Sequence, residues 1–176
     1  HPDRCVGVAS LCVPYRTIER GFTSLLPLVD RDIYPEHLYP WGQWAYQRFY
    51  HERFERACSV FDANAFNAVK ALFRRGSPEA LGRPGGHVKV FDAGGWFGGL
   101  DAAPDMARDD AVLSEADLCA YAAALTRNGF FGPDSLYMND AANLDYSDRS
   151  VNDGRLDMPV LFVAGRYDIT CESVDS

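Results

Sequence analysis

Two short apolar segments, far apart in the chain, constrain its fold more than any other feature. Residues 6–13 (VGVASLCV) and 158–164 (MPVLFVA) are nearly continuous apolar runs, which is typical of strands buried on both faces of a parallel sheet. Pro14 ends the first run, because proline cannot donate to a continuing ladder. Parallel strands need a crossover connection, and roughly 140 residues separate these two. The sequence therefore predicts an α/β fold: two parallel strands of a sheet, with a large segment inserted between them.

Apolar side chains in this insertion recur at helical intervals. Over residues 44–61 they recur every three or four positions, which predicts an amphipathic helix. A second helix is predicted over residues 64–75, with Gly76 as its terminator. The side chains expected to face inward are, on the first helix, Tyr46, Tyr50, Phe54, Cys58 and Phe61 and, on the second, Ala65, Val69, Leu72 and Phe73.

Boundary signals predict two further helices later in the insertion. Ser114-Glu115-Ala116-Asp117 has the pattern of a capping box, in which the serine hydroxyl and a carboxylate satisfy the first free N–H groups. This helix is predicted to end at Asn128-Gly129, and a fourth to start near Pro133. Residues 87–91 are predicted to be a short extended piece in a link rich in glycine and proline. The buried side of the third helix is predicted to consist of Leu118, Tyr121, Ala122 and Leu125.

The composition argues against several classes of partner. The net charge of −8, from 17 basic and 25 acidic side chains, disfavours nucleic acid, whose binding depends on clustered lysine and arginine. It equally disfavours docking on an anionic membrane surface. No stretch approaches the roughly 18–20 apolar residues of a membrane span. A small neutral substrate fits this balance better.

Cysteine and histidine usage gives no sign of a metal site or a cofactor. The five cysteines are odd in number and include no CxxC pair, and the four histidines lack the spacing of metal ligands. The thiols are therefore expected to be free and buried, in a reducing compartment. From this we expect a cytoplasmic protein.

Asp168 is the first candidate for a chemical role. It follows the second apolar run closely, and functional groups of open α/β sheets collect beyond the carboxyl ends of the strands. A carboxylate there can orient a histidine and stabilise its charged form. A solvated loop aspartate, or one that caps the next helix, explains the same position equally well.

Aromatic residues in the insertion supply the other candidates. Tyr46 and Tyr137 could together hydrogen-bond one oxygen and stabilise an alkoxide that develops there, with a phenol as proton donor. A tyrosine in an aromatic-rich helix is more often a core residue, and the residues alone do not select these two among 9 tyrosines. The segment Gly94-Gly95-Trp96-Phe97-Gly98-Gly99 is interpreted as a buried aromatic turn, with a flexible aromatic gate as the alternative.

Several motifs together resemble those of soluble epoxide hydrolases of the α/β-hydrolase fold. Gly129-Phe130-Phe131-Gly132-Pro133 followed by Leu136-Tyr137-Met138-Asn139 resembles the family's stretch that carries one lid tyrosine. Residues 44–50 (WAYQRFY) are similar to the stretch that carries the other. Residues 158–164 with Asp168 resemble the strand and acid of the triad. Leu11-Cys12-Val13-Pro14-Tyr15 resembles the strand before the lid, so the resemblance spans nearly the whole chain in the family's order.

The resemblance implies a two-step reaction of an epoxide with water. An aspartate attacks an epoxide carbon to form an ester, and a histidine-activated water then hydrolyses the ester to release a diol. It implies that Tyr46 and Tyr137 bind the epoxide oxygen and that Asp168 orients the histidine. The expected substrate-binding residues are Pro14, Trp96 and Phe97. A homodimer is one expected form of assembly.

The resemblance also sets boundaries and shows departures. It implies that residues 1–30 contain the core strand before the lid, that residues 31–150 form the helical lid, and that residues 151–176 contain the second core strand and the loop with the triad acid. The nucleophile is expected before His1 and the catalytic histidine after Ser176, so the chain is expected to be inactive alone. Leu136 stands where the family usually has a tryptophan, and Ala45 stands where it commonly has an acidic residue. We expect these departures to change which substrate shape is accepted more than the chemistry.

Two alternatives remain beside epoxide hydrolysis. A haloalkane or fluoroacetate dehalogenase shares the fold and the aspartyl ester, but binds a departing halide with tryptophan, histidine or asparagine donors. A non-catalytic protein of the same fold could use the lid pocket to bind a small apolar ligand.

Overall fold

A computed structural model describes residues 4–170, and helices predominate in it. The strands and α-helices, in chain order, are β1 (Val8–Leu11), α1 (Phe22–Leu25), α2 (Ala45–Asp62), α3 (Ala65–Leu72), α4 (Glu115–Asn128), α5 (Phe131–Ser135), α6 (Asp140–Asp148) and β2 (Val160–Val163). Short 3₁₀ helices lie at Ile18–Arg20, Leu26–Leu28, Gly42–Trp44, Pro78–Ala80, Gly86–Lys89, Leu136–Met138 and Val151–Gly154. No helix within residues 4–170 is long and apolar enough to cross a membrane.

The two strands form a parallel pair. Val8 lies opposite Val160 and Leu11 opposite Val163, and beyond β1 the Cys12 N–H donates to the Val163 carbonyl oxygen over 2.8 Å. The prediction of two parallel strands joined by a long, mainly helical connection is confirmed.

The predicted burial of these strands on both faces is wrong. Leu11 is 70% exposed and Leu161 60%, although both belong to apolar runs that suit a sheet interior. The reason is that each strand has one strand neighbour among residues 4–170. A two-stranded sheet cannot by itself cover both of its faces.

The chain folds into two compact units. The first contains both strands, with residues 4–44, Pro78–Gly85 and 139–170, and the second contains Ala45–Ser77 and Gly86–Met138. The domain boundaries implied by the resemblance stay a prediction.

In the first unit, Gly42 is held in a conformation that favours glycine. Its φ is 55°, and a Cβ placed on it would lie 2.5 Å from Val29 Cγ2. Val29 is buried, so it has little room to move away. Gly82 has a similar φ of 70°, but nothing lies within 4 Å of its hypothetical Cβ.

These two glycines form a matched pair for a stability measurement. Gly82→Ala is expected to destabilise the protein by about 1 kcal/mol, because it meets only the conformational penalty of a positive φ. Gly42→Ala is expected to lose a further ~1–3 kcal/mol, since it adds a steric clash in a packed region. Urea unfolding followed by circular dichroism measures both. Equal losses for the two variants would show that the contact with Val29 is relieved without penalty.

In the second unit, the first predicted helix forms as α2, but its buried face is displaced. The backbone at Arg53 is not helical, with φ −139° and ψ 41°, and divides α2 into two parts. Because the helical phase changes at this residue, a single spacing rule cannot identify the inward side chains. Tyr46, Phe54 and Cys58 are only partly buried, while the buried residues are Ala45, Phe49, Tyr50, Ala57, Val60 and Phe61.

The later boundary predictions have mixed outcomes. The capping box at Ser114 and Asp117 is confirmed, and α4 ends at Asn128 as predicted. A helix over residues 64–75 is confirmed in part, since α3 ends at Leu72, before Gly76. The extended piece predicted for residues 87–91 is wrong, because Gly86–Lys89 forms a 3₁₀ helix.

Two predictions of buried apolar residues and one of buried thiols are also wrong. Leu72 and Tyr121 are exposed. Periodicity alone does not decide whether a side chain near the edge of a helix's apolar side faces the core or the solvent. The four cysteines within residues 4–170 are free thiols, as predicted. Cys5 and Cys119, however, are exposed rather than buried.

Candidate active site

Three tyrosines meet in the second unit. Tyr46 and Tyr50 are one helical turn apart on α2, which places them on the same face. Tyr137 lies in the 3₁₀ helix that follows α5. Its ring meets that of Tyr46 edge-on, with centroids 5.7 Å apart, and stacks on that of Tyr50 at 4.5 Å. The structure thus brings together the two tyrosines selected from the sequence.

Hydrogen bonds fix this tyrosine cluster. The side chains of Tyr46 and Tyr137 are hydrogen-bonded to each other. Trp96 Nε1–H donates to Tyr50 Oη over 2.9 Å, and His51 Nε2 lies 2.6 Å from the Tyr137 carbonyl oxygen. The phenol of Tyr137 is therefore held through its ring, its hydroxyl and its backbone. Tyr50 and His51 were not predicted as site residues; the helical spacing of Tyr50 from Tyr46 was a signal for the first, and His51 had no such signal.

Burial keeps the phenols of Tyr50 and Tyr137 protonated. It raises the pKa of Tyr137, an effect that the hydrogen bond with Tyr46 opposes and the nearby Asp134 carboxyl reinforces. Burial raises the pKa of Tyr50 in the same way, and Asp134 again adds to it. A neutral phenol can donate a hydrogen bond to a ligand oxygen. The site therefore offers donors to an oxygen on which negative charge develops.

Asp134 is a buried carboxyl whose charge acts on Tyr50 and Tyr137. It lies in α5, three residues before Tyr137, and is only 5% exposed. The Cys58 thiol is hydrogen-bonded to the carboxyl group, while Oδ2 has no hydrogen-bond partner among residues 4–170. Burial raises the pKa of Asp134 to about 6, and the carboxylate of Asp62 contributes to the rise. The sequence analysis missed Asp134, although a lone carboxylate one turn before the selected tyrosine was a visible signal.

The raised pKa of Asp134 predicts a pH-dependent contribution to stability. A carboxyl whose pKa is higher in the folded state than in the unfolded state favours folding while it is protonated. That contribution is present below the unfolded value, near pH 3.8, and is lost as the pH rises through about 6. Asp134→Asn should therefore become more stable relative to the unchanged protein between pH 4 and pH 8. Urea unfolding of both at several pH values measures this, and a constant difference would contradict it.

The glycine-rich aromatic segment packs against the same cluster. The Trp96 ring lies 5.5 Å from that of Tyr46, and the Phe97 ring meets Phe61 edge-on at 5.7 Å. Both side chains are half-buried. These contacts agree with the interpretation as an aromatic turn, and they leave part of each ring accessible to a ligand.

The two other predicted site residues belong to the first unit. Asp168 Oδ1 accepts hydrogen bonds from the Thr170 N–H at 3.0 Å and from its hydroxyl at 2.7 Å. This local turn is what a loop-capping aspartate would form, and both of these hydrogen bonds use the same carboxylate oxygen. The Pro14 carbonyl oxygen accepts from the Thr17 hydroxyl at 2.6 Å. Their roles in catalysis and substrate binding stay predictions.

Metal chemistry has no candidate in the part of the chain that the structure describes. No group of three or more histidine, cysteine, aspartate or glutamate side chains within residues 4–170 could hold an ion. The tyrosine cluster offers hydrogen bonding and proton donation by phenols, and one buried carboxyl, Asp134, lies near it.

The fold resembles that of a named enzyme structure. Epoxide hydrolase A from Mycobacterium thermoresistibile has a TM-score of 0.60 and 26% sequence identity with this chain. The match covers 94% of this chain and 47% of that enzyme, so the chain spans about half of the enzyme's length. A likeness of this degree supports a relationship no closer than the level of a family. It is consistent with an α/β fold. No protein-family model and no curated protein sequence matches the chain.

Proposed function

We propose that this chain forms the oxygen-binding part of an epoxide hydrolase. The observation that carries the proposal is the hydrogen-bonded, edge-on pair of Tyr46 and Tyr137 in a half-buried aromatic site. The similarity to a structure named an epoxide hydrolase supports it. The substrate is a small neutral epoxide, in keeping with the acidic charge of the chain and the apolar rings around the phenols.

In this proposal both phenols hydrogen-bond the epoxide oxygen. A carboxylate from a segment outside this chain attacks an epoxide carbon, and the carbon–oxygen bond breaks with its electron pair moving to oxygen. The alkoxide takes a proton from one of the two tyrosines, so that no free alkoxide accumulates. A histidine that Asp168 orients then takes a proton from water, and the resulting hydroxide attacks the ester carbonyl carbon and breaks its bond to the product oxygen. The diol and the free carboxylate are released, and the proton on the histidine returns to the tyrosinate.

The alternative of a dehalogenase is less well supported by the aromatic donors. Halide release needs N–H groups directed at the departing ion. Two of the three tryptophans already donate to protein oxygens: Trp96 to Tyr50, and Trp44 to the Thr170 carbonyl over 2.9 Å. Phenol hydroxyls are the donors that gather at this site, and they match an epoxide oxygen better than a halide.

Product analysis of the protein that contains this chain tests the proposal. A panel of aryl and alkyl epoxides is incubated with the protein, and diols are quantified by chromatography. Fluoroacetate and 1-bromobutane are assayed in parallel for halide release. Diol formation without halide release supports epoxide hydrolysis. Halide release without diol formation would replace it with dehalogenation, and neither product would favour a non-catalytic binding protein.

A further inference from the structure

A buried carboxyl near the phenols is unexpected, because the proposed reaction develops negative charge on the substrate oxygen and a nearby carboxylate would oppose it. Asp134 is 5% exposed, and its Oδ2 has no hydrogen-bond partner among residues 4–170. It is held in place because its own N–H donates to the Phe130 carbonyl oxygen over 2.9 Å at the start of α5. Its position three residues before Tyr137 keeps the carboxyl and the phenol within one turn of each other.

The charge state of this carboxyl changes what the phenols can do. An anion in a site of low dielectric constant acts over longer distances than it does in water. It opposes the formation of a second negative charge nearby, on a phenol or on a substrate oxygen. A neutral carboxyl lacks this effect and occupies the same volume.

Resting on the function proposed above, we propose that Asp134 acts on epoxide opening through Tyr137. With Asp134 protonated, the Tyr46–Tyr137 pair stabilises the alkoxide fully. With Asp134 ionised, the buried negative charge weakens that stabilisation. Asp134 thus acts through Tyr137 and does not touch the substrate. Because its carboxyl is neutral at mildly acidic pH, ring opening is faster there.

Other titratable groups face Asp134 or Tyr137 and define the controls. From α2, Tyr50, Cys58 and Asp62 act on Asp134 or respond to it. Burial raises the pKa of Cys58 to about 11, so this thiol stays neutral throughout the relevant range. His51 Nε2 contacts the Tyr137 carbonyl oxygen, so replacing His51 serves as a control for this contact.

Nuclear magnetic resonance of the chain with ¹³C-labelled tyrosine and aspartate tests the inference without catalysis. Between pH 4.5 and pH 8, the Asp134 Cγ resonance should titrate with a midpoint near 6. The Tyr137 Cζ resonance, assigned from its loss in Tyr137→Phe, should shift with the same midpoint. Asp134→Asn should abolish that shift, whereas His51→Gln should retain it.

The remaining outcomes separate this inference from the proposed function. Asp62→Asn removes a neighbouring negative charge and should lower the Asp134 midpoint while the Tyr137 shift persists. A Tyr137 resonance that does not follow Asp134 in the unchanged protein overturns the inference. Where diols are formed, the single-turnover rate of ring opening should fall by about three- to tenfold from pH 5 to pH 8, as expected for weakening one hydrogen bond. It should stay within about twofold in Asp134→Asn. Lack of turnover would count against the proposed function, while the resonance titration still decides the coupling.

Discussion

Replacing Tyr137 by phenylalanine is expected to lower the rate of epoxide ring opening by about 10²–10³-fold in the protein that contains this chain. Removing one donor from a site that stabilises a developing oxyanion has an effect of this size. The ring of Tyr137 would still stack on Tyr50, as it does at 4.5 Å, so the loss can be assigned to the hydroxyl group. Single-turnover formation of the ester intermediate measures the affected step directly.

The partner and control variants sharpen this expectation. Tyr46→Phe should give a loss of similar size, and the double variant should lose less than the product of the two, because both hydroxyls serve one oxygen. Tyr121→Phe is the control, since Tyr121 is exposed on α4. If Tyr137→Phe opened epoxides as fast as this control, the phenols would belong to the aromatic core alone.

Phe61→Ala is expected to destabilise the second unit by about 3–5 kcal/mol, the usual range for a fully buried phenylalanine. Phe61 is 2% exposed; its ring stacks on Phe130 at 5.0 Å and meets Phe97 edge-on. Alanine would leave a cavity between these two rings. Chemical denaturation followed by circular dichroism measures the loss of free energy of unfolding.

An exposed phenylalanine provides the comparison for this measurement. Phe66 on α3 is 40% exposed, and Phe66→Ala should lose less than about 1 kcal/mol. Phe130 directly precedes α5, which leads to Tyr137. Phe61→Ala should therefore also broaden or move the Tyr137 resonance, and similar losses for both variants would contradict the assignment of Phe61 to the core.

Sequence reasoning located most helices and both strands, because local signals specify them. Ser114 and Asp117 predict a helix start through hydrogen bonds within four residues, and those bonds form. Two apolar runs of similar composition predict two parallel strands, and they pair. The approach of Tyr46 to Tyr137 was different, since only the resemblance to a family selected this pair among the tyrosines.

Burial and charge were harder to predict, because they depend on neighbours distant in sequence. The break at Arg53 changes the face that α2 buries, and no proline or glycine marks it. The exposure of Leu11 follows from the number of strands beside it, which the strand's own sequence does not contain. The raised pKa of Asp134 depends on its burial and on Asp62, roughly 70 residues away.

The short parallel pair also bears on how such a protein can change over evolution. The inserted segment leaves β1 at its carboxyl end and returns at the amino end of β2. The strands are four residues long, so these points are roughly 10 Å apart along the strand direction at about 3.3 Å per residue. Loop-closure entropy grows only with the logarithm of length, so doubling the segment costs about 0.6 kcal/mol. Insertions and deletions in this segment can therefore accumulate and reshape an aromatic site, while the strand pair stays fixed.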